Sequence, residues 1–465
     1  MKELLISLHP HLPKYQQIYD SIRNLIETGN LPADAKLPSI RKLAETLGTS
    51  RNTTLTAYEQ LMAEGYVRSE TARGYFVEPF QPMDVLPKPK PAVFIANPPA
   101  SKTIIDFRAG AVDSSAFPLK AWRQCANEVL KQDLIYTYGD LQGDPLLRKQ
   151  LAAYLLQSRG IPASSEALVI GCSTQTLLWQ LSLLLKKDCT AIAVEDPGYD
   201  GARSVFDMQG FHIEPVAVTD RGLRIDQLED AHANLVYITP SHQFPTGSTM
   251  PVAERQRLLL WAERSQGYII EDDYDSEFRY KQKPIPALAS LRQNNRVIYV
   301  STFSKAFLPS IRLSYMLLPP EMLDRYHRLL KNLEQTASSL HQRTMAYFME
   351  RGHWDSHIRK MRLVYKNKMK TLVHALERHF GDSLEIIGAH SGLYVCIRIK
   401  FFCDENRLIE QAAAAGVCVY PASTFFVIPA ADDHATIQLG FGSLSAEEIE
   451  TGIALLKKAW LPGSA

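Results

Sequence analysis

Seven prolines fall between Pro79 and Pro99, in PFQPMDVLPKPKPAVFIANPP. Proline fixes its own φ and has no N–H to donate, so this density blocks helix and central strand alike. The stretch reads as a semi-rigid extended linker over residues 81–104. An irregular surface loop within one domain is the alternative. The linker divides the chain into a small unit at 1–80 and a large one at 105–465. A chain of 465 residues has length for two or three domains.

In the small unit, Ile18, Ile22 and Ile26 recur at helical spacing between Lys14 and Thr28. Leu37-Pro38-Ser39 is a helix start, and that helix runs to about Leu47, where Gly48 breaks it. Ser50 caps a second helix with Leu55, Tyr58, Leu61 and Met62 on one face. Helix, glycine-containing turn and helix make a helix-turn-helix. The following GYVRSETARGYFVEP predicts a two-stranded wing with Arg73 and Gly74 at its tip.

The net charge of +1 gives no nucleic-acid signal for the whole chain, so any basic patch is local. Residues 1–80 hold nine Lys and Arg against nine Asp and Glu. Between Lys36 and Arg51, however, Lys36, Arg41, Lys42 and Arg51 face a single acid, Glu45. That puts positive charge on the first turns of both helices, where main-chain N–H groups also favour phosphate. Arg51, Asn52 and Thr53 open the second helix, the part of such helices that meets base edges. Double-stranded DNA is the expected partner. A solvated charged hairpin, or a winged helix used for protein contacts, is the plainer alternative.

The pattern LPS-x-R-x-LA, LG-x-SR-x-T, AY-x-L and GYFV resembles the GntR type of winged helix across nearly the whole unit. The resemblance implies that Ser39, Arg41, Ser50, Arg51, Thr53 and Gly74 contact DNA. Lys42, Asn52 and Arg73 join them as neighbours.

From Ile105 onward, helical patterns alternate with short apolar runs at 167–171, 190–194, 235–238, 268–271 and 297–301. Short strands separated by helices predict an α/β domain with a mainly parallel sheet wrapped by helices. The hydrophobic fraction of 46% suits a soluble protein with a full core. Six cysteines show no CxxC spacing, so neither a zinc ribbon nor a redox pair is supported, and no metal is expected. No apolar run approaches the roughly 18 residues of a membrane span, and the start of the chain lacks a signal-peptide core. A cytoplasmic protein with no membrane partner is expected.

The run Val297–Val300 is an apolar strand that opens into Ser301-Thr302-Phe303-Ser304-Lys305. A lysine just after a buried strand becomes nucleophilic when burial lowers its pKa, as Schiff-base lysines require. Arg312, seven residues on, offers a fork for phosphate. Asp272, ending another apolar run, can keep a pyridine nitrogen protonated, and a Tyr274 phenol can reach a ring oxygen. Gly171-Cys172-Ser173-Thr174-Gln175 follows a strand and opens a helix, so N–H groups and hydroxyls there can hold a phosphate.

This half resembles fold-type I aminotransferases over roughly 105–460, with a small C-terminal α+β subdomain. It is most similar to the aminotransferase-like domains of MocR-type regulators, on EDDYDSEF (271–278), TPSHQFPTG (239–247) and TFSK (302–305). The resemblance implies pyridoxal 5′-phosphate held by Lys305 as a Schiff base, with Thr302 and Ser304 beside it. It implies Asp272 at the pyridine nitrogen, with Asp273 the competing choice, and Tyr274 at the ring oxygen. Ser173, Thr174, Gln175 and Arg312 would take the phosphate, and Tyr199 in EDPGY would stack on the ring. Tyr138, five residues before Gly143, resembles a tyrosine lent to the partner subunit's phosphate, which implies a two-fold homodimer with an exchanged, domain-swapped arrangement.

One position departs from the pattern. Ile437-Gln438-Leu439-Gly440-Phe441 places Gln438 where relatives carry a carboxylate-binding arginine. An amide cannot supply that charged clamp. Arg203 is the only basic residue near Tyr199 that could substitute. Gln438 and Arg203 are therefore the candidate effector contacts. The expected function is a regulator that senses pyridoxal phosphate, an amine or an amino acid. The alternatives are an aminotransferase with an accessory DNA-binding domain, and a DNA-binding protein whose large domain only dimerises.

Overall fold

The computed structural model describes residues 6, 8–9, 12–79, 104–280, 286–291, 295–401, 403–429 and 434–461. The linker expected at 81–104 falls outside the described residues except for Ile104. The chain divides into two compact units, Met1–Ala100 and Ser101–Ala465.

The first unit contains α1 (Lys14–Glu27), α2 (Ile40–Leu47) and α3 (Arg51–Ala63), then β1 (Val67–Glu70) and β2 (Gly74–Val77). Local chemistry sets each boundary. The Ser39 hydroxyl accepts from Lys42 N and starts α2, while Gly48 ends it at φ 60°, a left-handed turn that costs glycine little. The Ser50 hydroxyl accepts from Thr53 N and starts α3. β1 and β2 pair antiparallel from Val67↔Val77 to Glu70↔Gly74, and Lys36 bridges to Phe76 on the other side of the ribbon. The buried stripe of α3 is Thr54, Ala57, Tyr58 and Leu61. This corrects the face expected from the sequence. Leu55 lies one step off the i, i+3, i+4, i+7 rows and is only half-buried, and Met62 packs at the edge of the core.

The second unit begins with β3 (Ile105–Asp106), α4 (Leu119–Val129), α5 (Pro145–Arg159), β4 (Leu168–Gly171) and α6 (Thr174–Leu185). It continues through β5 (Ala191–Asp196), α7 (Asp200–Met208), β6 (His212–Thr219), β7 (Gly222–Leu223), α8 (Ile225–Asp230) and β8 (Leu235–Ile238). Then come α9 (Val252–Arg264), β9 (Tyr268–Asp272), β10 (Val297–Thr302), β11 (Ser314–Leu317), α10 (Pro320–Leu330), α11 (Ser339–Glu350) and α12 (His353–Phe380). The chain closes with β12 (Leu384–Ile387), β13 (Tyr394–Ile399), α13 (Glu405–Ala414), β14 (Val417–Cys418), β15 (Tyr420–Pro421), β16 (Thr436–Gly440) and α14 (Ala446–Trp460).

One sheet has the order β4-β11-β10-β9-β8-β5-β6-β7. Its centre, β10-β9-β8-β5-β6, is parallel, as the alternating pattern predicts. β11 departs from that direction and pairs antiparallel with both β10 and β4. The reason is connection length: the segment from Thr302 to Ser314 is a short reversal, whereas a parallel return needs a longer crossover. Strands β4, β5, β8 and β10 are buried nearly end to end, which suits a sheet covered by helices on both faces. A smaller antiparallel sheet, β12-β13-β16-β15, packs with α12 and α14 around Phe380, Ile397, Ile453 and Trp460. This is the small α+β subdomain the sequence predicts. Among the described residues no helix is long and apolar enough to cross a membrane.

Candidate functional site

In open α/β sheets the carboxyl ends of the strands leave a crevice in which loop side chains converge. Here the ends of β5, β8, β9 and β10 bring Tyr199, Thr239, Asp272 and Lys305 to one cavity of about 280 Å³. Gly110 follows β3 on another wall, and Gln438 comes from β16 of the small sheet.

Strand alternation distributes the acids of EDDYDSEF. Successive side chains in β9 point to opposite sides. Glu271 and Asp273 turn away from the cavity. Glu271 accepts from Leu288 N at 2.7 Å and Ala289 N at 2.9 Å. Asp273 accepts from the Tyr299 hydroxyl at 2.5 Å and pairs with Arg159 at 2.6 Å. Asp272 and Tyr274 face the cavity. Of the two adjacent aspartates, only Asp272 lines it.

Asp272 Oδ2 accepts from the Tyr237 hydroxyl at 2.5 Å. Its Oδ1 is buried and has no hydrogen-bond partner among the described residues. Burial pushes this carboxyl up to about 7, although the Tyr237 bond pulls the other way. Neighbouring Asp273 and Asp275 add to the rise.

Lys305 sits on the reversal between β10 and β11. Thr302 Oγ1 holds that turn: it accepts from Ser304 N at 3.2 Å and the Ser314 hydroxyl at 2.8 Å, and donates to the Leu313 carbonyl at 3.2 Å. Ser304 contributes its backbone N–H to this arrangement and is not among the residues lining the cavity. Thr302 uses all its hydrogen-bonding capacity on the turn. Burial lowers the pKa of the Lys305 amine, opposed by the charges of Asp275 and Asp272. A Cβ on Gly110 would stand 1.9 Å from Lys305 Nζ, and Gly110 has φ +85°. Only glycine lets the backbone pass so close to the amine.

Tyr274 is placed by a buried network. Its hydroxyl lies 3.0 Å from His242 Nδ1 and 3.1 Å from the Tyr394 hydroxyl. His242 Nδ1 is 2.9 Å from both oxygens of Asp275. At the start of α6, the Ser173 hydroxyl accepts from Thr176 N, and Thr174 reaches the cavity. Gln175 lies next to the Tyr199 ring, where Gly201 leaves room for both. Burial pushes the Tyr199 phenol up to about 12, tempered by the charge of Arg312. Arg312 is exposed at φ 53°, ψ 56°, a left-handed conformation that costs a side-chain-bearing residue about 1 kcal/mol or more. Among the described residues it has no hydrogen-bond or ion-pair partner.

Ser173, Gln175 and Arg312 do not line the cavity themselves. Tyr138 is 77% exposed and is absent from its own subunit's cavity. Arg203 also falls outside: its guanidinium donates to the Thr424 carbonyl at 3.2 Å and so steadies the segment carrying Phe425. Gln438 does line the cavity, is 3% exposed, and has an Nε2 without a hydrogen-bond partner.

Gly110, Tyr237, Thr239, Phe244, Asp275 and Tyr394 also line the cavity, beyond the residues expected from the sequence. Thr239, Phe244 and Asp275 lie inside the segments 239–247 and 271–278, so the motifs themselves were the signal. Gly110 and Tyr394 stand in no such motif.

On the first unit, Arg41, Lys42, Arg51 and Asn52 are exposed on neighbouring helix starts. Arg41 pairs with Glu45 at 3.1 Å, and Arg73 with Glu70 at 2.5 Å. Lys42 and Arg51 have no carboxylate partner among the described residues. The Ser39 hydroxyl accepts at 3.2 Å from Lys42 N, and its own hydrogen is left to donate. Ser50 and Thr53 share a 2.8 Å hydroxyl contact. At the wing, Lys36 and Arg73 flank the Phe76 ring at 5.8 and 5.6 Å, next to Gly74.

Comparison with known proteins accounts for both units. The family described as bacterial regulatory proteins, gntR family, matches residues 14–77, and aminotransferase class I and II matches residues 102–454. The HTH-type transcriptional regulator YdeL of Bacillus subtilis (strain 168) is 40% identical over 457 residues, covering 97% of each chain. "Probable rhizopine catabolism regulatory protein MocR" of Rhizobium meliloti is 32% identical over 478 residues, covering 98% of this chain and 96% of that one. The crystal structure of a multiple substrate aminotransferase from Thermococcus profundus is similar with a TM-score of 0.70 and 27% identity, over 77% of this chain and 92% of that one. The chain belongs to the MocR-type GntR transcription regulators, in which a GntR helix-turn-helix unit is joined to an aminotransferase class I and II domain.

Proposed function

We propose that this regulator binds operator DNA through its helix-turn-helix unit and senses pyridoxal 5′-phosphate, or an amine captured with its help, in the cavity around Lys305. The observation that carries the reading is Lys305 and Asp272 in one cavity, with Asp272 Oδ1 buried and unpartnered. A buried acceptor left open costs stability unless a ligand donor completes it, and a protonated pyridine nitrogen is such a donor.

The residues present fit the cofactor. Asp272 would hold the ring nitrogen, Tyr199 would cover the ring, and the Tyr274 hydroxyl would reach the ring oxygen. Thr174, Ser173, Gln175 and the open N–H groups of α6 would take the phosphate with Arg312, whose guanidinium is uncommitted. Tyr138 of the partner subunit would complete that phosphate site, which requires a homodimer in the exchanged arrangement. When bound, the cofactor supplies an electrophilic carbonyl that captures primary amines reversibly. Lys305 supplies the amine, which burial biases toward its neutral, nucleophilic form. The gap beside Gly110 lets that amine stand free.

Ser39, Arg41, Lys42, Ser50, Arg51, Asn52, Thr53, Arg73 and Gly74 would form the DNA face. Lys42 and Arg51 supply phosphate contacts, and α3 presents Asn52 and Thr53 to base edges. The protein would act in the cytoplasm. A metabolic aminotransferase is the weaker reading, because Gln438 offers no charge for a substrate carboxylate.

Purified protein incubated with pyridoxal phosphate should show a visible absorbance band that survives dialysis, and Lys305→Ala should lack it while keeping operator affinity. A wild-type protein without the band would refute the sensing reading.

A further inference from the structure

We infer that the cavity selects a primary amine carrying no acidic group, so that α-amino acids are its poor ligands. This rests on the reading that Lys305 and Asp272 hold pyridoxal phosphate. The charges that line the cavity are Asp272, Asp275 and Lys305. With Asp272 committed to the cofactor and the Lys305 amine biased by burial toward its neutral form, Asp275 remains as the spare acidic group, and it is a carboxylate. Asp275 is buried, and its carboxylate is held by His242 at 2.9 Å from behind. Its field reaches the amine position, since it is the strongest charge opposing the loss of the Lys305 proton.

No arginine lines the cavity among the described residues. Of those nearby, Arg312 would be taken up by the cofactor phosphate, and the others are engaged elsewhere. Arg203 donates to the Thr424 carbonyl, Arg108 to the Tyr420 hydroxyl at 3.0 Å, and Arg279 to the Ser241 carbonyl at 2.9 Å. Gln438 supplies the second, independent observation. It is buried in the cavity wall, and its Nε2 has no hydrogen-bond partner among the described residues. An amide N–H completes a neutral acceptor such as a hydroxyl or ether oxygen but cannot offset a buried negative charge. A carboxylate brought in beside Asp275 would meet a second carboxylate, with no arginine lining the cavity to balance it among the described residues and with His242 already facing both Asp275 oxygens. An ammonium or a neutral polar group would not.

The test titrates decarboxylated and parent pairs into the full-length holoprotein and follows the visible band. Suitable pairs are ethanolamine with serine, tyramine with tyrosine, and cadaverine with lysine. In each pair that perturbs the band, the carboxylate-free amine should half-saturate at a concentration lower by about tenfold or more. Gln438→Arg should reverse or erase that preference, and Asp275→Asn should narrow it. Equal or better binding of the amino acids to the wild-type protein would overturn the inference, as would a holoprotein whose band responds to no pair. Absence of the band itself would instead defeat the underlying reading of the site.

Discussion

At the scale of single residues, the site is built on groups that the fold leaves incomplete. Among the described residues, Asp272 keeps one oxygen without a donor and Arg312 has no partner for its guanidinium in a left-handed backbone, while Gly110 leaves space against Lys305 Nζ. Gly110→Ala places a methyl where the amine stands and strains a residue at φ +85° by about 1–2 kcal/mol. The variant should fold, with a modest loss of stability, yet lose most of its cofactor affinity in a titration of the visible band. Asp272 has a second consequence, in pH dependence. The unfolded chain releases its proton near the ordinary value of 3.8, and the native cofactor-free protein holds it to about 7. Across that window the native state binds more protons, so this group's contribution to stability falls as pH rises. Asp272→Asn removes the effect. The melting temperature of the cofactor-free variant should therefore gain on wild type as pH rises from about 4 to about 7, followed by calorimetry.

At the scale of elements, the two units were legible in the sequence to different degrees. The caps of α2 and α3 are local: a hydroxyl followed three residues later by a free N–H, and a glycine where the chain turns left-handed. These signals need no distant partner, so the helix-turn-helix could be read directly, apart from which rows of α3 face inward. Phosphate contacts at those helix starts predict a measurable salt dependence. Lys42→Ala and Arg51→Ala should each weaken operator and non-operator binding alike, and each should reduce the slope of log affinity against log salt by about 1 in fluorescence anisotropy. The cavity was less legible. Lys305 follows one buried strand and Asp272 ends another, so both were readable in the sequence, while Asp273, just past the end of β9, remained a competing choice. Gly110, Tyr394 and Gln438 come together only because β13 and β16 of the small sheet pack toward the ends of the large one. Arg203 shows the converse: near Tyr199 in sequence, it is spent on the Thr424 carbonyl, a partner 221 residues away.

At the scale of the whole molecule, the proposed function joins a DNA-binding unit to a sensor. The exposure of Tyr136 and Tyr138, at 84% and 77%, suits a segment completed by a second subunit. Under the proposed function, a ligand in the Lys305 cavity alters DNA binding only by its differential affinity for two arrangements of the protein, and the coupling is reciprocal. The proposed function is therefore a linkage between two sites, and one joint titration decides it. Operator affinity and the visible band should be followed in the same samples as pyridoxal phosphate, and then a carboxylate-free amine, is added. Operator affinity should shift with the same midpoint as the band, and Lys305→Ala should abolish both responses while leaving ligand-free DNA binding intact. Operator affinity that stays constant while the band saturates would contradict the proposed function.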